Sequence, residues 1–374
     1  MADWVASTVG ARRGHSVPWR AAAGLIALLV GIGLGRFGYP PLIPALVEAG
    51  WFNAGQADYL GAANLAGYLV GAALAHRLTR RVSGSTLIKA SLLIGTASFL
   101  ACAFPWGFAW YLAWRLAAGA IGGVLMVLTP PAILALTPAH RRGQVGGVVF
   151  TGVGLGIALS GSLVPWLVAF GLTQTWLVFA ALAALLTALA WPGVPPVEER
   201  AAPPEIGIHV KSRLPSRVLP LLVLYGCLSV GFVPHTVFWV DFVARGLGAG
   251  LAAGGFQWIL LGLGAAVGPL LAGMAADRIG FAASLALSLA VMALALALPV
   301  LSSSPIVLAL SSLGAGGVAI GATLLASGRV GELVPMRQQR QVWGWMTILF
   351  SVAYAGAAYA LSFLFVRTAS YALL

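Results

Sequence analysis

Long apolar runs recur along the whole chain, and short polar or charged segments separate them. A run of ~20 apolar residues at 1.5 Å rise forms a helix that crosses a ~30 Å hydrocarbon layer. The pattern predicts six spans in the first half, at 20–47, 54–76, 85–104, 107–135, 143–170 and 174–191. It predicts five more in the second half, at 218–243, 251–276, 281–300, 305–327 and 341–364.

A polar, proline-rich segment, GVPPVEERAAPPEIGIHVKSRLPSR, divides these two groups of spans. It has no apolar face to bury, which is typical of a flexible connection. The last residues, TASYALL, resemble the beginning of a twelfth span, but they are too few to cross a bilayer. We therefore predict an all-α polytopic membrane protein with a tail, a six-helix bundle, a linker and a second bundle whose last helix is truncated, at 1–19, 20–192, 193–217 and 218–374.

Composition supports a membrane protein and explains the basic charge. The 374 residues are 60% hydrophobic and 8% charged, whereas a soluble domain carries about 25% charged residues. The net charge is +12, but the Lys and Arg residues concentrate in alternate loops, as the positive-inside rule requires. The charge therefore predicts orientation in a bacterial inner membrane rather than a nucleic-acid partner. It places the N-terminus and the linker in the cytoplasm, and Arg245 and Arg367 outside.

The two halves also resemble one another in sequence. A shift of 201 residues places Gln56 on Gln257, Gly61 on Gly262 and Gly67 on Gly268. Repeated halves of this kind are typical of secondary transporters. No GxxxxGK[ST] loop is present and the two cysteines form no metal-binding pattern, so we expect neither ATP nor a cofactor.

Several motifs resemble the major facilitator superfamily. Gly273, Asp277, Arg278 and Gly280 match its G-x-x-x-D-R-x-G signature, and Arg115 in RLAAGAIGG resembles its fourth-helix arginine. The stretches GRFGYPPLIP, ANLAGYLVGA and GFVPHTVFWVDFVARGLG resemble the YbfB/YjiJ branch of that superfamily. The resemblance implies a two-bundle fold and a monomeric secondary transporter that works by alternating access.

The first-half copy of the signature departs from the family pattern. His76 stands at the position of the aspartate and Thr79 at that of the second glycine. In the family that aspartate helps to latch the cytoplasmic side, so we expect a weaker latch in the first half.

Arg36 lies inside the first apolar run, ~23 Å along the helix from the cytoplasmic side. A charge at this depth costs from ~3 to ~10 kcal/mol or more, so it should face a watery cavity or a partner. Three prolines follow it, and Pro40 and Pro44 each free a carbonyl four residues back. Arg36 is therefore a predicted substrate-binding residue, and the alternative is a structural arginine bonded to the freed carbonyls.

The other predicted substrate-binding residues are Tyr39, Asn64, Arg115 and His235. Arg115 has the alternative of a structural bridge to a neighbouring helix, and His235 that of a neutral, hydrogen-bonded histidine.

Asp58, Asp241 and His235 are the predicted proton-coupling residues. Asp58 has the alternative of complementing a helix dipole. Asp241 has that of pairing with Arg245 four residues on.

These observations predict a secondary active transporter for a small anionic or polyhydroxylated solute, coupled to protons. One alternative is an inactive, truncated relative of such transporters. An integral-membrane enzyme is disfavoured because the five His and nine acidic residues are scattered along the chain.

Overall fold

The computed structural model describes residues 17–195, 216–368 and 370–374, and these contain helices and no strand. Most of the predicted tail and most of the predicted linker lie outside the described residues. Eleven long helices, α1 to α11, are present in the described part: Val17–Glu48, Ala54–Leu78, Gly84–Cys102, Phe108–Ala135, Arg142–Leu167, Leu172–Ala190, Ser216–Gly246, Gly250–Ile279, Phe281–Leu301, Pro305–Leu333 and Met336–Thr368.

Each predicted span corresponds to one of these helices, so the prediction of an all-α polytopic fold is confirmed. Ten of the helices in the described residues are long and apolar enough to cross a membrane. The other, α2, has 25 residues and is more polar along its first half. We call the end at which the even-numbered helices finish the basic end, because most of the described Lys and Arg residues lie there, in the loops or in the adjoining helix ends.

Local sequence explains where several helices begin. Asn53 and Gln56 form a capping box at the start of α2, in which each side chain accepts a hydrogen bond from the other's backbone N–H. Ser83 and Ser304 cap α3 and α10, and each side chain accepts one hydrogen bond from a backbone N–H of the first turn. Gly280 adopts a φ of +82° between α8 and α9, a conformation that favours glycine.

Equivalent helices pack together in the two halves. In the first half α2 lies along α4, and in the second α8 lies along α10. Gly67 of α2 faces the Leu116 carbonyl so closely that a Cβ would collide with it, and Gly268 of α8 faces Gly317 in the same manner. Small residues permit this close approach of helices in membranes. The glycine equivalence seen in the sequence thus reflects a repeated packing contact.

Four helix pairs join the halves: α5 packs against α8 and α10, and α11 packs against α2 and α4. One apolar core cluster contains residues from both halves. The helices that face each other across this interface therefore enclose the middle of the molecule.

The first helix of each half is irregular near its middle. The α1 helix widens into a π-helical turn at Leu29–Leu34 and contains the 3-10 turn Pro40–Leu42 before its last segment, Ile43–Glu48. The α7 helix contains π-helical turns at Pro234–Phe238 and Phe242–Gly246. Such turns are frequent at functional sites, and these two flank the middle of the molecule.

Candidate functional site

Arg36 lies among aromatic rings that belong to both halves of the protein. Every residue from 27 to 39 is buried except Arg36, which is partly exposed. Its guanidinium carbon lies over three aromatic rings, at 5.1 Å from the centre of Phe37, 5.7 Å from Tyr68 and 5.4 Å from Tyr354. These rings belong to α1, α2 and α11, so residues of both halves surround the charge. Cation–π contacts of this length stabilise a guanidinium that has left bulk water.

Further side chains from α7, α10 and α11 extend this cluster of aromatic residues. The Tyr225 ring lies 4.9 Å from Phe350, which in turn stacks on Tyr354 at 6.5 Å. The Tyr225 hydroxyl donates to Thr323 Oγ1 at 3.2 Å. We define the central chamber by the residues that share these contacts: Arg36, Phe37, Tyr68, Tyr225, Thr236, Thr323, Phe350 and Tyr354.

The charge of Arg36 has no acidic partner in the described part of the chain. The ion pairs found there are Arg245 with Asp241 and Arg329 with Glu332. The described acidic residues all lie within two turns of a helix end: Glu48, Asp58, Asp241, Asp277 and Glu332. The chamber is therefore a positively charged, mainly aromatic site.

Arg115 occupies a different environment. It is 3% exposed, and its Nη1 donates to the carbonyl oxygen of Gly35 at 2.8 Å. Its guanidinium carbon lies 4.3 Å from the centre of the Tyr39 ring, and its own carbonyl accepts from Asn64 Nδ2 at 3.2 Å. Tyr39 donates to the Ala57 carbonyl at 2.9 Å. These contacts hold α1, α2 and α4 together beside the chamber.

Partners from other helices therefore satisfy carbonyls near the kink in α1. The Ser160 hydroxyl on α5 lies 3.1 Å from the Phe37 carbonyl, which Pro41 deprives of its usual helical donor, and 2.8 Å from the Ile157 carbonyl, so the two carbonyls share its hydrogen. Arg115 donates to the Gly35 carbonyl, one residue before Arg36. The carbonyl-binding arginine is thus Arg115, and Arg36 is left facing the chamber.

His235 lies behind the chamber, within the C-terminal half. Its Nε2 is 2.7 Å from Ser311 Oγ, and Ser311 donates to the Ala295 carbonyl at 2.7 Å. The serine hydrogen is used by that carbonyl, so the His235 Nε2 carries the hydrogen and Nδ1 is an acceptor. Nδ1 is buried without a partner in the described residues. The next residue, Thr236, lies 2.8 Å from the Tyr354 hydroxyl in the chamber.

Of the two predicted proton-coupling aspartates, Asp241 makes its contacts near the end of α7. Asp241 pairs with Arg245, as its spacing predicted, and also accepts from the Tyr371 hydroxyl at 2.5 Å. Tyr371 belongs to the short turn Tyr371–Leu373, which follows α11 and packs against the end of α7. The side chain of Asp58 lies outside the described part of the structure.

At the basic end, Asp277 joins the two halves. Its Oδ1 and Oδ2 accept from the backbone N–H groups of Gly143 and Gln144, each at 2.9 Å, at the start of α5. Gly273 allows this approach, since a Cβ there would meet the Gly143 carbonyl. Arg278 is exposed beyond this contact and Gly280 forms the turn that follows. A carboxylate at a helix N-terminus also complements the helix dipole.

We expect Asp277→Asn to loosen the basic end, because the amide can accept only one of the two hydrogen bonds. The loss should weaken this contact by roughly 1–3 kcal/mol. A cysteine introduced at Ser327, which lines a cavity of about 280 Å³ at the same end, should then react faster with a thiol reagent. His76→Asn, whose side chain lies outside the described part, serves as the matched change in the first half. Equal effects of the two changes would contradict the assignment of the latch to Asp277.

Sequence reasoning missed most of the chamber wall. Trp343, Phe350 and Tyr354 follow one face of α11, and Trp343 donates to the Met126 carbonyl across the interface at 3.1 Å. Their spacing of seven and four residues is a helical period. That period marks a common face, but only the fold shows that the face meets Arg36.

A family model described as "Uncharacterised MFS-type transporter YbfB" matches residues 28–374. The chain therefore belongs to this family of major facilitator superfamily transporters, and it is a multi-pass membrane protein.

Curated relatives are distant. The uncharacterised transporter YgaY of Escherichia coli O157:H7 is 24% identical over 206 residues, which is 54% of this chain and 51% of the relative. A putative transporter YgaY from strain K12 matches to the same extent. The chain thus spans about half the length of the curated relatives it matches.

Solved structures share the fold over nearly the whole chain. A double Trp mutant of XylE has a TM-score of 0.72 at 17% identity, covering 94% of this chain and 89% of XylE. The human organic anion transporter MFSD10 also has a TM-score of 0.72, at 20% identity, covering 93% of this chain and 94% of MFSD10. At these identities the likeness shows the fold alone.

Proposed function

We propose that this protein is a secondary active transporter for a small organic anion, and that Arg36 anchors the substrate in the central chamber. The observation that carries the proposal is a guanidinium without an acidic partner in the described residues, surrounded by aromatic rings from both halves. Alternating access moves such halves around a central site. An anion that neutralises Arg36 gains a charge-assisted hydrogen bond in a site shielded from bulk water.

A thermal-shift screen of the purified protein tests this proposal. Small organic anions should raise the melting temperature, whereas neutral and cationic solutes should not, because a ligand that binds the folded state stabilises it. Hits should then support counterflow in proteoliposomes. Stabilisation by cations alone would contradict an anion site at Arg36.

Proton coupling is proposed to use His235. His235 directly precedes the chamber residue Thr236, and its Nδ1 lacks a hydrogen-bond partner in the described residues. No charged side chain contacts it there; its neighbours are Trp239 of α7 and Ser311 of α10. Protonation at Nδ1, when the site opens to water, would add the coupling charge.

We therefore expect His235→Gln to keep anion counterflow and to lose its acceleration by an inward proton gradient. Ser311→Ala, which removes the Nε2 contact and retains the titratable ring, should keep the acceleration. The measurement is uptake of a hit from the screen with and without a pH difference across the membrane. An unchanged response in His235→Gln would exclude this histidine from coupling.

The basic end is proposed to face the cytoplasm of a bacterial cell, following the positive-inside rule. On a background in which the exposed Cys227 is replaced by serine, Arg245→Cys should react with an impermeant maleimide in intact cells. Arg278→Cys should react only after permeabilisation. The reverse pattern would invert the orientation.

A further inference from the structure

The residues of the central chamber favour an anionic substrate over a polyhydroxylated one. They also favour a particular number of charges and a particular shape for that anion. We infer that the substrate is a monocarboxylate with a flat, apolar body, of the chemical class of benzoate. The inference rests on the proposed function of Arg36, and it follows from the free donors, the single charge and the aromatic walls of the central chamber.

The free donors are few. Thr236 donates to the Phe232 carbonyl at 2.9 Å, so the Tyr354 hydroxyl is the donor in its contact with Thr236. Thr323 likewise donates to the Ala319 carbonyl at 2.9 Å, and Tyr225 donates to Thr323. The hydroxyl hydrogens of both tyrosines are therefore already used inside the protein.

In the described part of the chamber, this leaves two polar groups without a hydrogen bond, the Arg36 guanidinium and the Tyr68 hydroxyl. Two neighbouring donors suit the two oxygens of one carboxylate. A sugar would bury several hydroxyl groups, and each would need its own partner. The chamber therefore favours a carboxylate over a polyol.

The charge inventory favours one carboxylate over two. Arg36 is the cation that faces the chamber, while Arg115 is bonded to Gly35 and lies against Tyr39. A second carboxylate on the substrate would be buried among aromatic rings without a counter-charge, and such burial is strongly unfavourable.

The walls favour a flat body. Phe37, Tyr68 and Tyr354 surround the guanidinium, and Phe350 lies nearly parallel to Tyr354, with 10° between the ring planes. Aromatic rings pack on one another by stacking or edge-to-face contact, with a gain beyond simple area burial. A planar ring attached to the carboxylate would make these contacts, and a saturated ring would make fewer.

The test measures binding of four probes to the full-length protein by calorimetry. Benzoate should bind, and cyclohexanecarboxylate, which has the same charge on a puckered ring, should bind about 2- to 10-fold more weakly. Terephthalate, which adds a second charge, should bind at least ~100-fold more weakly. Xylose should not bind. Tighter binding of terephthalate or xylose than of benzoate would overturn the inference.

Variants connect the binding to the chamber and separate this inference from the proposed function. Tyr68→Leu should weaken benzoate binding more than Tyr68→Phe, since phenylalanine keeps the ring. If terephthalate or xylose binds instead, and Arg36→Gln removes that binding, the anchor role stands and the substrate class is wrong. If benzoate binds equally to Arg36→Gln and to the unaltered protein, both proposals fail.

Discussion

Arg36→Gln should remove transport and benzoate binding while the protein inserts, purifies and melts as the unaltered protein does. The change deletes a charge that makes no hydrogen bond or ion pair in the described residues. The cation–π contacts that it removes are offset by the cost of holding that charge away from bulk water, so the net change in stability is small. A hydrogen bond between substrate and a charged group is worth ~1.5–3 kcal/mol, or about 10- to 150-fold in affinity. Affinity by calorimetry and melting temperature should be measured on the same samples.

Arg36→Lys is the matched control for charge. Lysine keeps the positive charge but loses the planar fork of donors. The affinity of Arg36→Lys for benzoate should therefore lie between those of the unaltered protein and Arg36→Gln. Unchanged affinity together with a lowered melting temperature in Arg36→Gln would assign Arg36 a structural role.

Arg115→Gln should mainly lower the melting temperature, whereas Arg36→Gln should mainly lower the affinity for substrate. The substitution leaves the Gly35 carbonyl without its donor and removes the contact with Tyr39 in a buried region. An unsatisfied buried polar group costs about 1–3 kcal/mol. Affinity for substrate should also fall, as an indirect effect, because the backbone at Gly35 positions the side chain of the next residue, Arg36. Melting temperature measured beside affinity gives the comparison with Arg36→Gln.

The conservative change at this position is Arg115→Lys. It can still donate to the Gly35 carbonyl, so it should recover part of the stability lost in Arg115→Gln. A stable Arg115→Gln protein that had lost all binding would instead mean that Arg115 contacts the substrate itself.

The spans and the family signature could be predicted from the sequence because they depend on local patterns. Apolar length determines where α1 to α11 lie, and the signature around Asp277 occupies four positions within one helix end. The shift that places Gly67 on Gly268 was also visible in the sequence, and the fold shows that both glycines lie at close helix contacts.

The roles of the two arginines could not be predicted in this way. Arg36 and Arg115 are both single charges in long apolar runs, and depth along a helix does not distinguish them. Their difference comes from distant partners, the Gly35 carbonyl for Arg115 and the Tyr354 ring for Arg36. The sequence did not identify Tyr68 and Tyr354 as site residues either. Aromatic residues are common in membrane helices, and only the fold brings these two close to Arg36.

Accessibility of the chamber from the two faces of the membrane tests the central claim most directly. Thr236→Cys, on a background with Cys227→Ser, places a thiol beside Tyr354 and leaves Arg36 intact. A small anionic methanethiosulfonate reagent is applied to right-side-out and to inside-out vesicles. The account predicts modification from both faces, with slower modification in the presence of benzoate. Modification from one face only, or none from either, would contradict a transporter that opens this chamber to each side in turn.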